Sequence, residues 1–203
     1  MRLTLVRHGE TPSNVDGILD TAVPGPGLTQ RGLDQAAALV TRFGHQEFDS
    51  IWASTQVRSQ ITARPIAADR RAQVRVLAQL REFSVGDLEG RSDKPALTIF
   101  LDAWKAWILG DLNDSMPGGE TGHQILARMD EAVATIAATG TESALVFSHG
   151  GLLRLWSGTR AGNIDTEFTL ANYLVNTGVI VMTGSPDDGW HCESWDLPPT
   201  RRE

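Results

Sequence analysis

Arginine and histidine meet where an apolar run ends in LTLVRHGET (3–11), and the arrangement recurs along the chain. The run SIWAS (50–54) is followed a few residues later by Arg58, and ALVFS (144–148) runs straight into His149-Gly150-Gly151. Guanidinium groups stay charged at any working pH and grip phosphate oxygens as a two-pronged fork. Two arginines with two histidines therefore describe a pocket for phosphate. Helix starts after the strands would aim backbone N–H groups at the same anion. Asn14, just beyond His8, offers a further amide donor. An unprotonated imidazole is also a nucleophile toward phosphorus, and neighbouring positive charge keeps it unprotonated. Expelling an ester oxygen then needs an acid. Glu82 in LREFSVGDLEG (80–90) is the first choice, Glu89 the second and Glu10 the third.

Each of these residues has a plainer reading. His8 alone would be a turn histidine, Arg58 a solvated helix arginine, His149 a satisfied core histidine and Glu82 a solvated loop carboxylate. Their recurrence at strand ends favours a shared site. His45, His123 and His191 are expected to play no catalytic part, although His123, just after GGET, stands nearest in sequence to a candidate loop. A zinc hydrolase would use histidines and a carboxylate as ligands, but two adjacent arginines would repel a dication. A non-catalytic module that only binds phospholigands would not need the acid. No G-x-x-x-x-G-K-[ST] pattern occurs, which excludes a nucleotide P-loop.

Strands and helices must bring these residues together. RLTLV (2–6), DSIWAS (49–54), SALVFS (143–148) and LVNTGVIVM (174–182) read as strands, and WHCESWDL (190–197) as an edge strand. Thr29 caps a helix carrying Leu33, Ala36, Ala37, Val40 and Phe43 on one face. TQVRSQITARPIAADR (55–70) reads as a helix that Pro65 should kink or end. ALTIFLDAWKAWILG (96–110) reads as an amphipathic helix, in which Trp104 and Trp107 are placed for packing. Pro117-Gly118-Gly119 suits a tight turn, and Thr121 with Gln124 forms a capping box before a helix with Ile125, Met129, Ala132, Val133 and Ile136 on one face. Alternating strands and helices predict a three-layer α/β/α sandwich with a mainly parallel central sheet. Ligands in such sheets bind beyond the carboxyl ends of the strands, where the arginines and histidines fall.

With 203 residues, one domain over 1–203 is expected. The net charge of −7 argues against a general nucleic-acid binder. The only cysteine, Cys192, can form no intrachain disulfide, and the apolar run ended by Arg7 is too short for a signal peptide or a membrane span. A soluble, cytoplasmic protein without membrane or nucleic-acid partners is expected, with a homodimer left open.

LVRHGET with Asn14, LTQRGLDQA, STQVRSQITA, LREFSVGDLEG, PGGET and FSHGG follow one another in this order. Together they resemble the histidine phosphatase superfamily, also called phosphoglycerate-mutase-like, across residues 2–182. The resemblance implies that His8 becomes phosphorylated, that Arg7, Arg58 and His149 surround the phosphate, and that Glu82 gives the proton. Asn14 and the Gly150 amide would edge the pocket, with no metal and no cofactor. STQVRSQ lacks the proline usual after the serine, and Pro65 is unexpected in the following helix. In this family the segment at about 91–118 tends to cover the site, which gives Trp104 and Trp107 a part in specificity. Mutases of the family carry extra basic residues there for a second anionic group. This chain has only Arg91, Lys94 and Lys105 against four aspartates. The expectation is therefore a phosphomonoesterase acting on a small phosphorylated metabolite through a phosphohistidine, with phosphoglycerate-mutase-type transfer as the alternative.

Overall fold

The first apolar run forms β1 (Arg2–Arg7), and its side chains divide between two cores because successive residues on a strand point to opposite faces. Leu3 and Leu5 enter one core, Val6 the other. The computed structural model describes residues 1–197. The remainder of the domain expected over 1–203 lies outside the described residues. After β1 come α1 (Pro12–Asp16), α2 (Gln30–Phe43), β2 (Ser50–Ala53), α3 (Val57–Asp69), β3 (Val74–Val76), α4 (Lys94–Ile108) and α5 (Gly122–Ala137). Then follow β4 (Ser143–Ser148), α6 (Gly150–Arg160), α7 (Thr166–Ala171), β5 (Val179–Ser185) and β6 (Gly189–Trp195).

The strands form one sheet in the order β3-β2-β4-β1-β5-β6. β3, β2, β4 and β1 are parallel, β5 is antiparallel to β1, and β6 is antiparallel to β5. Leu39, Phe43 and Ile66 of α2 and α3 cover one face, and Ile125, Met129, Ile136, Leu152 and Trp156 of α5 and α6 cover the other. This is the expected α/β/α sandwich. The α5 face is buried as its periodicity predicts, and the Thr121–Gln124 capping box closes with both reciprocal bonds. β6 is an edge strand, as expected, and β3 forms the opposite edge.

Three local expectations need correction, and one is narrowed. Leu33 is 42% exposed and Ala37 is exposed too, because α2 turns Gly32, Ala36, Leu39 and Phe43 inward instead. The cause is Gly32: a Cβ there would stand 2.2 Å from the Glu10 carbonyl oxygen, so the bare glycine face has to meet the loop after β1. Of the two outcomes expected at Pro65, an end to the helix is ruled out, since α3 runs on to Asp69. The strand expected from residue 174 starts at Val179, because the preceding loop is committed elsewhere. There the Leu174 carbonyl accepts from Arg7 and the Thr177 N–H reaches the Arg7 carbonyl. The short helices α1 and α7 stand where the pattern gives no helix; Thr11 and Asp165 cap them, each side chain accepting a backbone N–H of the first turn.

Candidate active site

Register decides the first step of assembly. Arg7 pairs with Ser148 and Ala53 with Phe147, so β1, β4 and β2 end side by side. The residues that follow, His8, His149 and Ser54, emerge at one edge of the sheet. Arg58 arrives in the first turn of α3.

His8 is buried, and its Nδ1 lies 2.7 Å from the Gly9 carbonyl oxygen. A carbonyl can only accept, so Nδ1 carries the proton and Nε2 keeps its lone pair for the cavity that His8 lines. Burial first, then the charges of Arg7 and Arg58, hold the imidazole well below the ordinary histidine range. The loop around it is tied down: Gly9 N–H donates to Thr62 Oγ1 at 2.9 Å, and Asn176 Nδ2 donates to the His8 carbonyl at 3.2 Å.

Arg7 donates to the Leu174 carbonyl at 2.6 Å and packs along Gly150, where a Cβ would stand 3.0 Å from Nε. Arg58 is buried, donates to the Asp20 carbonyl at 3.0 Å, and places its second amino group 3.7 Å from Asp20 Oδ1. Asn14 uses Oδ1 to accept from Thr11 N–H and Asn176 Nδ2, which leaves its own amide donors for the cavity it borders. Arg7, Asn14, Arg58 and Gly150 all line that cavity. His149 does not. It is fully buried beside His8, ring centroids 5.2 Å apart, with Nε2 2.7 Å from Ser54 Oγ. Burial, followed by the charge of Arg58, holds it well below the ordinary range as well.

Glu82 lines the cavity and accepts three N–H groups: Gly151 at 3.0 Å, Leu152 at 2.8 Å and Phe83 at 3.2 Å. Those bonds favour the carboxylate, yet burial outweighs them and raises the pKa. The other two acid candidates are occupied elsewhere. Glu89 holds the Thr21 and Ala22 N–H groups, and Glu10 accepts from Thr29 and faces Arg31. His123 is exposed on α5, away from the cavity.

Several residues in and behind the cavity carried no sequence signal; of the two tryptophans given a part in specificity, Trp104 lines the cavity and Trp107 does not. Gln56 is buried behind the acid, its Oε1 accepting the Glu82 N–H at 3.0 Å while its Nε2 donates to the Thr21 carbonyl. Arg154, Phe83, Phe100, Leu101, Trp104, Tyr173 and Leu174 form the outer wall of a space of about 450 Å³. Arg154 was discoverable, because it lies one helical turn after Gly150 and so shares its face. Arg91, Lys94 and Lys105, the basic residues counted in the covering segment, do not reach the wall. Among the described residues no group of three or more His, Cys, Asp or Glu is placed to hold a metal ion, and no helix is long and apolar enough to cross a membrane.

The sequence model of the histidine phosphatase superfamily (branch 1) matches residues 3–198. The adenosylcobalamin/alpha-ribazole phosphatase of Escherichia coli is 34% identical over 76% of this chain and 76% of its own length. A PE-PGRS family protein of Mycobacterium tuberculosis is 30% identical over 97% of this chain, which spans only 36% of that longer protein. Among solved structures, the alpha-ribazole phosphatase of Shigella flexneri superposes with a TM-score of 0.75 at 28% identity, covering 99% of this chain and 97% of that one.

Proposed function

The chain belongs to the histidine phosphatase superfamily, a phosphatase by its relatives, and we propose that it hydrolyses small phosphomonoesters through a phosphohistidine on His8. One observation carries this reading. The His8 Nδ1 proton is held by the Gly9 carbonyl, which leaves Nε2 a free nucleophile in a cavity that Arg7, Arg58 and an acid of raised pKa also line.

In the first step the Nε2 lone pair attacks phosphorus and the ester P–O bond breaks. Arg7 and Arg58 hold the non-bridging oxygens, and the departing alkoxide takes the proton of Glu82. Asn14 and the start of α6 at Gly150 edge the phosphate. His149, pinned by Ser54, lies behind His8 and outside the cavity, so its part is to pack against the nucleophile's ring. In the second step water attacks the phosphohistidine, gives a proton to the Glu82 carboxylate and frees inorganic phosphate, which restores both residues. The reaction needs no metal: two guanidiniums already supply the positive charge that a Lewis acid would bring. Small metabolite esters in the cytoplasm are the proposed substrates.

A rapid-quench turnover mixture tests the reading. Acid-labile, base-stable phosphate should appear on His8, and His8→Ala should retain background activity only. Phosphate on serine or aspartate would overturn the mechanism. Isomerisation of a phosphoglycerate outrunning phosphate release would place the chain with the mutases.

A further inference from the structure

The cavity has a cationic corner that phosphoryl transfer leaves without a task. Arg154 stands on α6 one turn past Gly150, and at about 1.5 Å per residue its backbone lies roughly 6 Å along the helix from the phosphate edge. Its guanidinium lies over the Trp104 ring, 4.2 Å from the centroid, and one amino group donates to the Thr169 carbonyl at 2.9 Å. Burial, with Arg7 nearby, pushes its pKa down only to about 10, so it remains a cation at neutral pH. Glu82, the acid whose charge it feels, is already held by Gly151 and Leu152.

Two donors here lack acceptors. Arg154 Nε and Trp104 Nε1 are both buried, and neither has a hydrogen-bond partner among the described residues. Both side chains line the cavity, beside the apolar Phe100, Leu101, Leu170 and Leu174. Buried donors are rarely left unpaired, so an acceptor that arrives with the substrate is the natural partner. One full charge and two N–H groups match a carboxylate; a second phosphate would bring two charges against one.

We propose that Arg154 and Trp104 form a leaving-group subsite selecting phosphomonoesters whose alcohol part has an apolar body ending in a carboxylate. The chemistry of turnover rests on the phosphatase reading above; the binding preference does not. Trp104 holds the guanidinium in place through its ring face and offers its own N–H to the second oxygen.

Benzyl phosphates bearing a carboxylate or a neutral carboxamide, at the meta or para position, test the subsite with closely matched leaving alcohols. For the better isomer, wild type should favour the carboxylate in kcat/KM by about tenfold or more. Arg154→Met should bring the ratio to about parity, and Trp104→Phe, which keeps a ring under the guanidinium but loses the N–H, should lower it part of the way. Parity in wild type, which needs no variant to fold, would overturn the proposal, as would an undiminished ratio in folded Arg154→Met. The same esters titrated calorimetrically into His8→Ala separate the two readings. A preference in Kd without turnover in wild type would sink the phosphatase reading and keep the subsite; turnover without any preference would do the reverse.

Discussion

Replacing Glu82 by Gln removes the transferable proton while nearly preserving shape. The substituted side chain can still accept from Leu152 and Phe83 through Oε1, at the sites of the present 2.8 Å and 3.2 Å bonds. Its Nε2 would face the Gly151 N–H, now 3.0 Å from Oε2, so one buried donor loses its acceptor at about 1–3 kcal/mol of stability. Relief from burying a carboxyl group offsets part of that. Neither effect depends on the leaving group. The proton does. General acid catalysis contributes about 10²–10⁴-fold, or about 2.7–5.4 kcal/mol of barrier. An alkyl phosphate should lose turnover within that range, whereas 4-nitrophenyl phosphate, whose nitrophenolate leaves unaided, should lose far less. Single-turnover quench with enzyme in excess isolates phosphorylation of His8, so a slow second step cannot mask the contrast. Glu89→Gln provides the control. It would loosen the loop that Glu89 holds at Thr21 and Ala22 and should slow both substrates alike. Equal losses on the two leaving groups in Glu82→Gln would refute the acid's role.

Arg58→Lys keeps the charge but loses the fork that reaches Asp20 and the cavity, so kcat/KM should fall about tenfold or more, while chelator leaves wild-type turnover intact; a lysine variant within about twofold would show that a point charge suffices. His8 and His149 are neutral in the fold, so below about pH 6.5 the unfolded chain binds more protons and stability falls as pH drops. Urea midpoints between about pH 7.5 and 5 should show this at up to about 1.4 kcal/mol per pH unit and group, with a shallower slope in His149→Asn; an unchanged slope would assign the loss to other residues. Gly32→Ala should destabilise by about 1–3 kcal/mol and reduce activity, because its Cβ would drive into the Glu10 backbone beside His8. Stabilisation, as helix propensity alone would give, would show that the loop yields freely.

Short-range chemistry was legible before any fold was known. The burial of Leu3, Leu5 and Val6, the Arg7-His8 strand end, the His149-Gly150-Gly151 helix start and the Thr121–Gln124 box each lie within a few residues and obey local rules of periodicity and capping. Glu82 could be ranked ahead of Glu89 and Glu10, but what surrounds each carboxylate could not be read: Glu82 lines the cavity against the α6 N–H groups, while the Thr21 loop and Thr29 hold the others. The rotation of α2 that exposes Leu33 depends on how close Gly32 comes to Glu10, a distance between two segments that no window of sequence contains. Arg154 gains its meaning only from Trp104 fifty residues earlier, and His149 proves to be buried beside the cavity with its Nε2 held by Ser54, which follows another strand. Local pattern states which groups a segment can offer. Packing between distant segments decides which of them are left unpaired and face the substrate, because a donor or acceptor is satisfied by whatever the fold brings within about 3 Å of it.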